Sequence, residues 1–269
     1  MKSFLINALL IVTGVLTAIP LLWMISASFM PTGEATVYPP RLLPSHATLV
    51  HYHELFTRMN FGRAFGNSLL IATAITIFSL LLNSMAGYAF AKLRFNGRER
   101  LFNVLLAALV IPTQVAMLPL FLMLKSVHLV NSYWGVIFPS MATIFGIFLI
   151  RQFMMSIPDD LLDAARIDGA NEFRIYWSII MPLARPVLVT LAIFAFMSAW
   201  NDFMWPLIVL TDNAKYTLPV AVASLVGEHV QDTELMMASS VLTVLPVLVL
   251  FLALQRHYIA GIMVGSVKG

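Results

Sequence analysis

Cysteine is absent from this 269-residue chain, and only 11% of its residues are charged. The first absence removes disulfide frameworks and Cys-ligated zinc domains. The second excludes a soluble domain, which runs near about 25% charged, and a disordered chain, which relies on charge for solvation. No G-x-x-x-x-G-K-[ST] phosphate loop occurs, so ATP is not bound by that route. The histidines His46, His51, His53, His128, His229 and His257 all fall outside the long apolar runs. A buried metal or His-based nucleophile site inside those runs therefore lacks its ligands. His51-x-His53 beside Glu54 has metal-ligand chemistry, but three polar residues meet by chance in an exposed loop far more often. What is in excess is apolar: 60% of the chain, against about 45–50% in a soluble domain. Lipid has to cover that excess, so the chain is a polytopic membrane protein.

Apolar runs place six spans at roughly 4–28, 65–90, 101–124, 133–150, 186–210 and 236–254. Runs this long fit helices and not barrel strands, because hydrocarbon tolerates no open sheet edge. The fold class expected is all-α, a single transmembrane domain over 1–269. The first run is too long for a signal-peptide core of about 7–15 residues and reads as a retained helix. Lys2, Lys92, Arg94, Arg98, Arg100, Arg151, Arg166, Arg174, Arg185, Arg256 and Lys268 fall on one side of the membrane. Arg41, Arg58, Arg63, Lys125 and Lys215 fall on the other. The richer side is the cytoplasm, which puts both termini there, including a tail over 257–269. Outside lies Met30–Arg63, whose four prolines suit an irregular loop.

The long inner segment, 152–185, carries the clearest local pattern. Pro158 suits a helix start and Gly169 a left-handed stop. Asp159, Asp160 and Asp163 lie early in that helix and Arg166 near its end, which complements the helix dipole. Asn171 suits the cap of a second helix, and Phe173, Tyr176, Trp177 and Ile180 form an i, i+3, i+4, i+7 stripe before Pro182. Ala164 and Ala165 let another backbone come close, as in a partner's groove. A helix pair lying on lipid headgroups, with alanines for propensity alone, fits the same residues.

Inside the spans, Asp202 is the one acid. A carboxylate there costs about 2.5–3.5 kcal/mol on insertion scales and should face a cavity or a partner. With Trp200, Asn201 and Trp205 it has the chemistry of a sugar surface, apolar faces to stack and acceptors for hydroxyls. An aromatic belt at the interface and hydrogen bonds to a neighbouring helix are equally compatible. Pro112 and Pro119 interrupt span three, Pro206 span five and Pro246 span six. Asn83 and Gln114 join the candidates for lining a path. Gly87 and Ala91 form a small-xxx-small pair suited to a close helix contact.

Asp163-Ala164-Ala165, then Gly169, then Ile179 or Ile180 and Pro182, resembles the EAA loop of ABC importer permeases, with Asp163 where that pattern usually has Glu. Ala165-Arg-Ile-Asp-Gly-Ala170 and Met181-Pro-Leu-Ala-Arg-Pro186 resemble the carbohydrate branch. Similar stretches follow the order of the maltose-type second permease along nearly the whole chain: Leu22-Trp23 to Ser28, Tyr38-Pro-Pro-Arg41, Gly87-Tyr-Ala-Phe-Ala-Lys-Leu-Arg-Phe95, Trp200-Asn-Asp-Phe-Met-Trp-Pro206, and the tail from Gln255 to Gly269. The resemblance implies a type I importer permease in a bacterial inner membrane. It implies that 152–185 couples to an ATPase through Asp163, Ala164, Ala165, Arg166, Asp168, Gly169 and Glu172. The partners it implies are a second homologous permease, an ATPase dimer that holds ATP and Mg, and an external solute-binding protein, periplasmic or lipid-anchored. This chain would itself bind no cofactor and no nucleic acid and would not be an enzyme. The solute implied is a sugar or oligosaccharide, with glycerol 3-phosphate or another polyol-type solute second. A secondary transporter is the rival class, but it should show ionisable groups in several spans.

Overall fold

A computed structural model of the chain describes residues 2–57, 60–228 and 232–266. Arg58, His229 and the final Val267-Lys-Gly269 of the tail motif lie outside the described residues. All regular structure among the described residues is helical. Four helices are long and apolar enough to cross a membrane, and six spans result if each of two bent helix pairs is one span. The chain divides into two compact units, Met1–Gly66 with Thr217–Val249, and Asn67–Tyr216 with Leu250–Gly269.

In the first unit, α1 (Lys2–Ala27) is the expected first span. Its threonines are neutralised internally. Thr13 Oγ1 donates to Leu9 O at 2.8 Å and Thr17 Oγ1 to Thr13 O at 3.0 Å, so neither threonine hydroxyl is left bare against lipid. The segment after α1 is pinned back onto it, with Trp23 Nε1 donating to Arg41 O and Ser26 Oγ to Leu42 O. The 30–63 segment, expected to be irregular, contains α2 (Val50–Thr57), whose His51 and Leu55 are buried. His51 Nε2 donates to Met30 O at 2.9 Å, so this histidine anchors a loop. Among the described residues no three His, Asp or Glu side chains converge to hold a metal. After α13 (Leu218–Glu228) comes α14 (Thr233–Ser266), which carries Glu234 in its first turn, and Glu234 accepts the Ala35 amide at 2.7 Å. The expected tail from 257 is a continuation of this helix to Ser266.

The second unit is organised around α3, which spans Phe61–Lys92 and enters the unit at Asn67. Three of its partners are interrupted helices. Span three is α4 (Arg98–Ala108) and α5 (Thr113–Ser126), bent by 103° at a break that ends on Pro112. Proline has no amide to continue the helical ladder, which is why the chain turns there. Span four is α6 (Tyr133–Ser140) and α7 (Ile144–Met155), broken at 141–143. Asn83 repairs that break, its Oδ1 accepting the Thr143 amide at 3.0 Å while Thr143 Oγ1 accepts the Gly146 amide. Span five ends earlier than expected. α11 (Arg185–Trp200) stops before Asn201, and α12 (Met204–Val209) follows as a separate helix with Pro206 inside it. The interruption therefore sits at 201–203 and not at the proline. Pro246 likewise lies inside α14 without breaking it.

At one end of α3 the helices are locked by Arg151 of α7. Its Nε donates to Phe90 O, its Nη2 to both oxygens of Glu99, and its guanidinium lies 3.9 Å over the Phe102 ring. Gly87 is where α3 and α7 touch. A Cβ on Gly87 would stand 2.5 Å from Ile150 Cγ2 and 3.1 Å from the Arg151 amide nitrogen. Gly66 on the same helix has nothing within 4 Å of that position. Gly87→Ala should therefore destabilise the purified protein by about 1–3 kcal/mol through overpacking. Gly66→Ala should be neutral or stabilising by up to about 1 kcal/mol through helix propensity. Thermal unfolding in one detergent compares the two, and equal shifts would remove the close-contact assignment.

Candidate functional site

The 152–185 segment forms the two helices its pattern predicts. The first, α8 (Asp159–Ile167), begins after Pro158 with Asp159 and Asp160 in its first turn and ends with Arg166 in its last. Gly169 follows at φ 82°, and the Ala170 amide reaches back to Ala165 O at 2.9 Å, closing the helix as a left-handed stop does. Asn171 caps the next helix, α9 (Glu172–Ile175), accepting the Arg174 amide at 2.9 Å. A π turn over Tyr176–Ile180 then leads into α10 (Met181–Leu183), and the run bends by 79° into α11. Pro182 thus lies within the run and does not close it. The apolar stripe is divided between core and surface. Tyr176 and Ile180 are buried, whereas Phe173 is 70% exposed and Trp177 points partly outward.

The turn between the two helices is held by one ion-pair network. Arg166 donates to Asp163 Oδ1 at 2.7 Å and to Glu172 Oε1 at 2.8 Å, which joins α8 to α9 across Gly169. These hydrogen bonds push the Arg166 guanidinium further above its ordinary value, so it remains a cation throughout. Of the seven residues expected to meet an ATPase, Ala165 packs inward against the core. Ala164, Asp168 and Gly169 are exposed, and Ile167 beside them is 86% exposed. Asp163, Arg166 and Glu172 hold the pair together.

Sequence reasoning missed what supports the pair from behind. Ser84, Tyr88 and Lys92 lie at i, i+4 and i+8 on α3, one face of the helix. Ser84 Oγ and Tyr176 Oη are 2.7 Å apart, Tyr88 Oη donates to Glu172 Oε2 at 2.5 Å, and Lys92 Nζ donates to Asp159 Oδ1 and Ile157 O at 2.6 Å. Each rung grips a successive point of the helix pair. Beside this ladder Leu162, Ile175, Tyr176 and Ile180 share a buried cluster with Tyr88, Ile150 and Leu191. The readable signal was a run of hydroxyls and a lysine spaced by four in an otherwise apolar span.

The six residues expected to line a path are placed in different roles. Asn83 is buried at the α6–α7 break, bonded to Ser79 and Thr143. Trp200 is fully buried and stacked on Phe196, and Trp205 Nε1 donates to Gly135 O at 3.2 Å. Asn201 closes α11 by donating to Met197 O, and Gln114 lies exposed at the start of α5. Asp202 alone of the six lines a cavity of about 460 Å³, together with Ser79, Thr113, Ser140, Thr143 and Ser198.

Comparison with known proteins gives a consistent pattern. Residues 83–264 match the family described as binding-protein-dependent transport system inner membrane component. An arabinooligosaccharides transport system permease protein of Halalkalibacterium halodurans is 41% identical over 253 residues, covering 93% of this chain and 91% of that one. A diacetylchitobiose uptake system permease protein of Streptomyces coelicolor is 34% identical, covering 97% and 88%. A trehalose transport system permease protein of Mycobacterium tuberculosis is 34% identical, covering 93% and 92%. The fold matches a crystal structure of a bacterial ABC transporter involved in import of the acidic polysaccharide alginate. The TM-score is 0.85 at 22% identity, over 95% of this chain and 96% of that one.

Two outcomes test the support of the helix pair. Tyr88→Phe leaves a partner of Glu172 unmade, at about 1–2 kcal/mol. Amide exchange over 172–180 should then accelerate roughly 5–30-fold, and an unchanged rate would show that the ladder carries no load. Lys92 holds the Asp159 carboxyl below its ordinary range. Its clamp is therefore at full strength above the usual aspartate value of about 3.9 and is lost as the pH falls through the lower folded value. Exchange over 159–167, corrected for intrinsic rates, should not change between about pH 5 and 8 and should rise only in more acid solution.

Proposed function

Because the chain belongs to the family of binding-protein-dependent transport system inner membrane components, we propose that it forms half of the translocation path of an ATP-driven importer for a neutral oligosaccharide. The names of the relatives favour that solute class, since three of them move arabinooligosaccharides, diacetylchitobiose and trehalose. A second, related permease supplies the other half of the path. An ATPase pair holds ATP and Mg, and an external binding protein, periplasmic or lipid-anchored, delivers the sugar. The chain itself carries out no hydrolysis. Both termini and the 152–185 segment face the cytoplasm of a bacterial cell, where Lys and Arg are concentrated.

The observation that carries the coupling is the helix pair itself. It presents Ala164, Ile167 and Phe173 outward and is bound inward to α3 by three hydrogen-bonded rungs. In this reading a cleft of the ATPase receives the exposed crest. Closure of the ATPase on ATP displaces the cleft, and the displacement passes through Asp159, Glu172 and Tyr176 into α3. The bend between α10 and α11 passes it into span five. Coupling requires the crest to bind the two ATPase states with different affinity.

Gly169 separates the mechanical account from a passive one. A Cβ there meets nothing within 4 Å, so any penalty comes from the backbone at φ 82° and not from a clash. Asn tolerates the left-handed region and β-branched residues do not. ATP-driven uptake by the reconstituted complex should fall in the order Gly, Asn, Ala, Val at position 169, with Val lowest. Equal uptake by all four would overturn the mechanical account. Purification of the tagged chain from native membranes should bring down an ATPase and a second permease. Recovery of the chain alone in a detergent that preserves such complexes would overturn the importer reading.

A further inference from the structure

We propose that the turn joining α3 to α4 binds the headgroup of an anionic phospholipid of the cytoplasmic leaflet, with an acyl chain of that lipid lying along α4. Only the side of the membrane on which the turn lies is taken from the importer reading above.

The turn at 93–97 and the helix ends beside it frame a cleft of about 810 Å³ lined by Lys92, Arg94, Arg98 and Arg100. Two carboxylates, Glu99 and Asp159, line it as well, and both are already matched. Asp159 Oδ1 takes Lys92 Nζ at 2.6 Å, and the Lys92 side chain is only 3% exposed, so that pair is closed. Both oxygens of Glu99 accept from Arg151 Nη2 at 3.0 Å. Three guanidiniums are therefore left in excess. Arg98 is held against the wall of the cleft, its Nη1 donating to Leu93 O at 3.0 Å and its Nε to Glu99 Oε1 at 3.2 Å. Arg94 and Arg100 are exposed and make no hydrogen bond among the described residues. Three like charges held together repel one another unless an anion joins them. Guanidiniums engage phosphate oxygens two at a time, which suits a phosphodiester. A zwitterionic headgroup would instead bring its own ammonium among the arginines.

The apolar surface next to the cleft separates a lipid from a soluble anion or an acidic protein. On α4, directly after Arg100, Leu101 and Val104 are 51% and 66% exposed and one turn apart. Phe95, in the cleft itself, is also exposed. A soluble anion leaves that surface bare. A phospholipid covers it with an acyl chain while its phosphate reaches the arginines, whose long stems suit a headgroup layer. The cytoplasmic leaflet is also where anionic lipids attract clustered Lys and Arg beside a membrane helix. Lys92 and Asp159 line the same cleft and form one rung under the helix pair, so the bound headgroup lies beside that rung.

Native mass spectrometry of the protein, purified with the subunits that accompany it, tests the site with three probes. These are dioleoylphosphatidylglycerol, dioleoylphosphatidylcholine, and glycerophosphoglycerol, which is the first headgroup without acyl chains. Phosphatidylglycerol should bind more tightly than either of the others. Arg94→Gln combined with Arg100→Gln should weaken it about 30-fold, the effect of two basic residues at an anionic surface. Neither side chain holds a hydrogen bond, so the turn keeps its structure in this variant. Arg174→Gln combined with Arg185→Gln removes the same charge from other exposed positions and should leave binding unchanged. The proposal is overturned if both double variants weaken binding equally, or if phosphatidylcholine binds as tightly as phosphatidylglycerol. Equal binding of glycerophosphoglycerol would overturn it in favour of a soluble phosphate. Loss of an accompanying ATPase from the Arg94→Gln, Arg100→Gln variant, with lipid binding unchanged, would overturn it in favour of an acidic protein surface. All of these results leave the importer reading standing. Because the chain lacks cysteine, Asn96→Cys reports the side of the membrane. A membrane-impermeant maleimide should label it only after cell lysis, and labelling of intact cells would overturn both readings.

Discussion

An interrupted helix in hydrocarbon exposes amides and carbonyls that lipid cannot satisfy, and this chain interrupts three of its spans. Most of the second unit follows from how those breaks are paired. α3, the one uninterrupted span of that unit up to Tyr216, does much of the pairing with a few polar side chains set into an apolar helix. Asn83 completes the α6–α7 break, and Ser84, Tyr88 and Lys92 hold the helix pair. The same helix presents Gly87 to Ile150 of α7, between the rungs made by Ser84 and Tyr88. A side chain larger than glycine there would move α3 away from α7 and disturb the rungs on either side.

The helix pair gains its two-sidedness from this arrangement. Its inner face is buried with Leu162, Ile175, Tyr176 and Ile180, whereas Phe173 and Trp177 lie on its outer side. Two of the four stripe residues thus enter the core, and two remain for another surface. The Arg166 network across Gly169 ties the two helices together, which the proposed coupling role requires if the pair is to move as a body.

The cavity and the helix pair lie at different levels of one unit and share α3 and α11. Ser79 lines the cavity and Ser84 meets the pair, and they are five residues apart on α3. On α11, Leu191 belongs both to the cavity wall and to the cluster that backs the pair. Under the proposed coupling, a displacement entering through the pair reaches residues that shape the cavity without any long relay.

Much of this was legible in the residues. The apolar excess required a membrane, and Pro158, Gly169 and Asn171 marked the two short helices of 152–185 because proline, glycine and asparagine have local backbone preferences that need no tertiary partner. The spans of α1 and α3 were equally plain. Legibility failed where the determinant was a partner distant in sequence. Proline content suggested breaks at Pro206 and Pro246, yet span five breaks at 201–203 and α14 runs on, because a helix ends where other groups satisfy its freed backbone. The tryptophans beside Asp202 suggested a sugar surface, and the fold spent them on packing, Trp200 on Phe196 and Trp205 on Gly135 O. Sequence by itself determined the solvent this chain requires, the class of its fold and the place of its helix pair, since hydrophobicity and local dihedral preference act residue by residue. Tertiary structure alone decided that Ser84, Tyr88 and Lys92 form a ladder and that Asp202 faces a cavity, since both depend on which breaks and faces meet in space.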